Sequence, residues 1–189
     1  MKRITYLSAL AVFCFTMAAG TLHAQDTNSD EHTIGIAIPT VALVDIEPEA
    51  SKNITMNFVA PTEAGMPIEA PTANADLWLN YSVIPSGSTA TATVTVSLNA
   101  LIPGVDIDVI AGADAGGGDG NMGTPLGSVT LTETGQAFID NIGASYTGDG
   151  ENNGHQLTYS LDVSGGGTSD YSALFASDNT VIVTYTISE

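Results

Sequence analysis

Positive charge is almost missing from this chain: of 189 residues only Lys2, Arg3 and Lys52 are strong bases, against 21 acidic side chains. Such a surface repels phosphate backbones and anionic headgroups, which excludes nucleic acid as a partner. Cysteine is reduced to Cys14, so the chain can form no internal disulfide and no thiolate metal cluster. Phe13 before it is too bulky for a lipoprotein cleavage site, and the position is too near the N-terminus. Aromatic residues make up only 6%, yet runs of Val, Ile and Thr argue against disorder. The one long apolar run, Leu7 to Ala19, is shorter than the roughly 20 residues a membrane-crossing helix needs.

That run, preceded by Lys2-Arg3 and followed by Leu22-His23-Ala24, has the three-part form of a secretory signal peptide covering residues 1–24. With the signal removed, 21 carboxylates face Lys52 alone, a formal charge of −20. Cys14 leaves too, so the exported chain depends on packing and bound ions for its stability.

Catalytic patterns are poorly represented. Only His32 and His155 remain after export, no HExxH occurs, and Gly143-Ala144-Ser145-Tyr146-Thr147 lacks the final glycine of a nucleophile elbow. Without arginine the chain has little with which to hold an anionic transition state. Asp106 and Asp108, at i,i+2 on a strand, read as a water-facing pair rather than as glycosidase carboxylates. The stretch Gly118 to Gly123 spells GxGxxG, but Thr124-Pro125 and a strand follow where a dinucleotide site needs a helix, so the match is fortuitous. The chain is therefore read as not an enzyme.

What is present is a succession of strand patterns separated by turn residues. Residues 25–32 form a polar, acidic leader. Ile34, Ile36 and Ile38 then alternate over Thr33 to Ile38. Further strands are expected at Val41 to Ile46, Asn53 to Val59, Asp76 to Ile84, Thr91 to Leu98, Val105 to Ala111, Leu126 to Thr132, Gln156 to Val163 and Thr180 to Ile187. The runs on either side of Pro85-Ser86-Gly87-Ser88 suggest a hairpin. Gln136 to Ile142 fits either a short strand or a helical turn, and Trp78 and Tyr81 are expected in the core. Eight to ten short strands at this spacing, with no repeat period, predict an all-β fold: a single antiparallel β-sandwich, immunoglobulin-like or pilin-like, over residues 33–189.

Two acidic, glycine-rich loops carry the candidate site chemistry. Asp149, Glu151 and Asn153 occupy positions 1, 3 and 5 of a loop with Gly154 at position 6, like the first half of a calcium loop. Ser160 stands where the closing Glu would be, and no helix flanks the loop, which excludes an EF-hand. Asp114, Asp119 and Asn121 form a second cluster. Both loops are more simply explained as solvated turns, since turns favour Asp, Asn and Gly. No cofactor is required; Ca²⁺ is the candidate ion. The sequons at Asn53 and Asn80 are given no role.

The signal, the Thr/Val-rich strands and the alternating end Thr180-Val181-Ile182-Val183-Thr184-Tyr185-Thr186-Ile187 resemble bacterial fimbrial (pilin-like) subunits and related secreted coat proteins. The resemblance implies a structural subunit of a surface fibre or coat, outside the cell, associating with itself or with other surface subunits. It also implies that 33–38 is a donor strand adding to a neighbour's sheet through Ile34, Ile36 and Ile38. The alternative for those isoleucines is the protein's own first strand. The alternative function is a monomeric calcium- or carbohydrate-binding module with the acidic loops as its site.

Overall fold

A computed structural model describes residues 28–163 and 170–189. The signal read at 1–24, and the glycine run at 165–167, lie outside them. By its internal contacts the chain divides between Ala37 and Ile38, and every strand among the described residues lies in the second unit.

Among its described residues are the antiparallel strands β1 (Val41–Glu47), β2 (Asn74–Ile84), β3 (Ala92–Leu98), β4 (Asp106–Asp114), β5 (Asp119–Gly120), β6 (Thr124–Pro125), β7 (Ser128–Thr130), β8 (Gln136–Ile142), β9 (Ser145–Tyr146), β10 (His155–Asp162) and β11 (Val183–Ser188). They form two sheets. The larger runs β5-β9-β2-β10-β4-β7 with β1 on the free flank of β2, and the smaller runs β11-β3-β8-β6. The fold is the all-β sandwich expected from the sequence. Among the described residues no helix is long and apolar enough to cross a membrane.

Period-two alternation explains how the sheets meet. In β2, Leu77, Leu79, Tyr81 and Val83 point inward and are buried; in β3, Ala92, Val94, Val96 and Leu98 do the same from the other sheet. Phe138, Ile139 and Ile142 of β8 and Leu157 of β10 complete a core with no solvent exposure at those four side chains.

Several expectations need correction. β2 and β3 are not a hairpin: they lie in different sheets, and residues 85–91 cross the sandwich end between them. The physical reason is that β2 already has partners on both flanks, β1 on one and β10 and β9 on the other. Asn53 to Val59 is no strand, although Ile54, Met56 and Phe58 do turn inward as alternation requires; only Val59 pairs, with Glu69. Gln136 to Ile142 is a strand whose mixed periodicity comes from bulges. Asn141 takes φ 59, and the register against β3 shifts, so Ile139 and Ile142 face the same core three positions apart. Asp106 is buried instead of facing water, and the Asp108 carboxylate accepts from the Thr130 hydroxyl. Trp78 lies on the outer face of β2 and is half-buried, whereas Tyr81 is in the core.

Candidate functional site

The two acidic loops, far apart in sequence, meet at one end of the larger sheet. β5 pairs with β9, placing Asp119 opposite Tyr146, and Ala115 N–H donates to the Gly154 carbonyl at 2.8 Å. The approach is closer than any side chain allows: a Cβ on Gly118 would sit 1.7 Å from the Tyr146 carbonyl oxygen. A Cβ on Gly117 would sit 1.8 Å from Oδ1 of Asn153. The GxGxxG spelling thus reflects backbone contact between loops, with strands on both sides of it.

Within this end, most of the side chains considered for calcium serve their own turns. Asn153 Nδ2 donates to the carbonyls of Asp149 (2.6 Å) and Glu151 (3.4 Å), closing the loop on itself. Asp114 accepts from Gly116 N–H and Asn121 from Gly123 N–H, both Asx-type turns, and Asp119 accepts from the adjacent Gly120 N–H. Among the described residues no group of three or more His, Asp or Glu side chains converges as a cation cage. Backbone donors engage the side chains of Asp114, Asp119 and Asn121, whereas in the 149–154 loop it is the Asn153 amide that bonds the loop's own carbonyls.

Beneath the loops lies a buried polar chain that the sequence did not reveal. His155 is fully buried, with Nδ1 2.9 Å from the Gly112 carbonyl and Nε2 2.8 Å from the Tyr81 hydroxyl. The Gly112 oxygen can only accept, so Nδ1 carries the proton and Nε2 is an acceptor. Tyr81 also reaches the Met122 carbonyl, which leaves its one proton between two acceptors. Burial pushes the His155 pKa below its ordinary 6.5, against the bond to Gly112 and the charge of Asp114. Tyr81 is pushed up, first by burial and then by Asp114. Asp114 Oδ1 itself is buried with no hydrogen-bond partner among the described residues, as is Oδ1 of Asn80, whose Nδ2 donates to the Gly148 carbonyl at 2.9 Å. A buried, hydrogen-bonded Asn80 is closed to glycan attachment.

On the outer face of the same sheet is a cleft of about 590 Å³. Its floor is the outward row Asn74, Asp76 and Trp78 of β2, with Gln156 of β10 paired beside Trp78. One wall is the segment from Pro48 to Thr55, the other Glu151 and Asn152 of the acidic loop. Sequence reasoning missed this cleft, although β2 carried the signal. The alternation that buries Leu77, Leu79 and Tyr81 necessarily turns Asp76 and Trp78 outward.

The segment ahead of β1 contributes the third feature. Over 33–38 no strand pairing is present among the described residues, and Ile34, Ile36 and Ile38 are 75%, 83% and 76% exposed. No family model, curated protein or solved structure matches this chain.

Proposed function

We propose that this protein is an exported, non-enzymatic subunit of a bacterial surface fibre or coat, joined to its neighbours by strand addition. The observation carrying this reading is the uncharged run Thr33 to Ile38, which leaves three alternating isoleucines exposed and unpaired. Monomeric proteins normally blunt such a run with charge, proline or a bulge.

The sandwich has a matching receptor edge. β1 and β11 are the outer strands of their sheets and come alongside each other without a ladder between them. Their core-facing residues, Val44 and Ile46 on one side and Val183, Tyr185 and Ile187 on the other, are only half-buried, while the residues they pair with one strand inward are buried. β1 carries Asp45 and Glu47, but β11 has no charge along Val183–Ser188 and presents the less protected edge. An added strand with three isoleucines on one face covers what this edge leaves open. Each isoleucine buried contributes about 2 kcal/mol, supplemented by main-chain hydrogen bonds.

Sedimentation velocity over a wide concentration range tests the reading with full-length exported protein and the triple variant Ile34→Ser, Ile36→Ser, Ile38→Ser. The wild type is expected to form concentration-dependent assemblies and the variant to remain a folded monomer with an unchanged Tm. A peptide spanning Thr33 to Ile38 should bind the variant. Monomeric wild type at the highest concentration, or equal assembly of the two proteins, overturns the proposal.

A further inference from the structure

We infer that the outer-face cleft around Trp78 is a binding site for a neutral saccharide, a function separate from assembly. Sugars present two kinds of surface, a C–H face that stacks on an aromatic ring and a rim of hydroxyls that both donate and accept. The cleft offers both. Trp78, the only tryptophan of the chain, is half-buried on the cleft floor and not in the core. Around it stand the amides of Asn53, Asn74, Asn152 and Gln156.

These amides are in different states of engagement. Asn74 Nδ2 donates to the Asp76 carboxylate at 2.6 Å, and its Oδ1 accepts from Asp76 N–H at 3.2 Å, which fixes the outward row. Gln156 Nε2 donates to the Ala75 carbonyl at 2.8 Å, leaving its Oε1 to accept. Asn53 and Asn152, on opposite walls, make no side-chain hydrogen bond among the described residues. Free donors and acceptors on both walls suit hydroxyls on both edges of one ring.

The charges narrow the class of ligand. Asp76 and Glu151 line the cleft, and Lys52, in the wall segment but not lining it, is paired with Glu49 at 2.7 Å, so uronic, sialic and sulfated sugars are disfavoured. A small cation would use the carboxylates and the indole face, but not the amide N–H groups, which a neutral sugar does use. The volume lies within the roughly 300–1,000 Å³ of small-molecule sites. An open, polar cleft of this kind binds weakly, with Kd on the order of 10 µM to 1 mM.

The lone tryptophan is also the reporter. Neutral hexasaccharides of glucose, xylose, mannose and galactose are titrated into full-length protein while Trp78 fluorescence is followed. Spermidine at matched ionic strength serves as the cationic probe. At least one hexasaccharide should give a saturable change, and the double variant Asn53→Ala, Asn152→Gly, which removes two exposed amides while the glycine keeps the φ of 65 at position 152, should weaken it about tenfold. Calorimetry on Trp78→Ala, checked for fold by circular dichroism, should show no binding. The proposal is overturned if no neutral hexasaccharide gives a saturable change, if the double variant binds as tightly as wild type, or if spermidine alone saturates the signal. Because the isoleucine variant of the assembly experiment leaves the cleft intact, it should bind the same sugar equally, whichever way the assembly test falls.

Discussion

Acid should destabilise this protein through one buried side chain, His155. The imidazole is fully buried, donates from Nδ1 to the Gly112 carbonyl, and faces Tyr81 and Asp114. Its folded-state pKa lies below the ordinary 6.5 because burial opposes the charged form. As pH falls below about 6.5 the unfolded chain binds a proton that the folded chain refuses, so stability is lost on the acid side and is fully present above that pH. The slope approaches, at most, about 1.4 kcal/mol per pH unit for one proton. The informative quantity is the difference between two proteins that vary only at this side chain. His155→Gln keeps a donor for Gly112 but does not titrate, and urea unfolding of both proteins from about pH 8 to about pH 5 isolates the histidine. The wild type should lose stability relative to His155→Gln as pH falls. The opposing contributions are real: a proton on Nε2 would let Tyr81 give its own proton wholly to Met122, and Asp114 would gain a counter-charge. If the wild type instead gains stability relative to the variant at low pH, those contributions outweigh burial, and His155 is a buried cation paired with Asp114.

Other measurements probe the remaining parts of the fold. Phe138 is the largest fully buried side chain, and Phe138→Ala should cost about 3–5 kcal/mol in urea unfolding. Tyr159 and Tyr185 share a hydroxyl–hydroxyl hydrogen bond of 2.7 Å; burial pushes Tyr159 up to about 12 and Tyr185 higher still, so stability should fall as pH rises above about 10, where tyrosines of the unfolded chain ionise. Thermal melts of Tyr185→Phe should show a shallower alkaline loss than wild type. Gly118→Ala drives a Cβ into the Tyr146 carbonyl and should cost roughly 1–3 kcal/mol, with amide exchange increased at β5 and β9 ahead of the core.

Burial was more legible in the sequence than pairing was, and the difference is physical. Period two reports which side of a backbone faces the core, and it did so at Val94, Val96 and Leu98 and even at Ile54, Met56 and Phe58, which have no ladder partner among the described residues, whereas expecting both Trp78 and Tyr81 in the core ignored the parity of their own strand. It carries no information about which strand lies alongside. Hence β2 and β3, adjacent in sequence with a turn between them, looked like a hairpin, while their apolar faces in fact meet across the core. Pairing energy comes largely from neighbours distant in the chain: His155 beside Leu79, and Val183 beside Leu98.

The same limit explains the sites. The acidic loops announced themselves because Asp, Asn and Gly are unusual in dense clusters, but those residues also make the strongest local turns, and backbone N–H groups one or two residues away engage Asp114, Asp119 and Asn121. The Trp78 cleft had no such local signature. Its residues come from 48–55, from β2, from the 149–154 loop and from β10, and only pairing in space makes them one surface. One inference was nevertheless available from β2 alone. A strand that buries Leu77, Leu79, Tyr81 and Val83 must expose Trp78 on its other face, and an indole turned outward on a chain so poor in aromatics calls for a reason beyond packing. Burial parity along a well-defined strand thus identifies the residue around which to look for a site, and the distant residues gathered about it narrow the chemistry of its ligand.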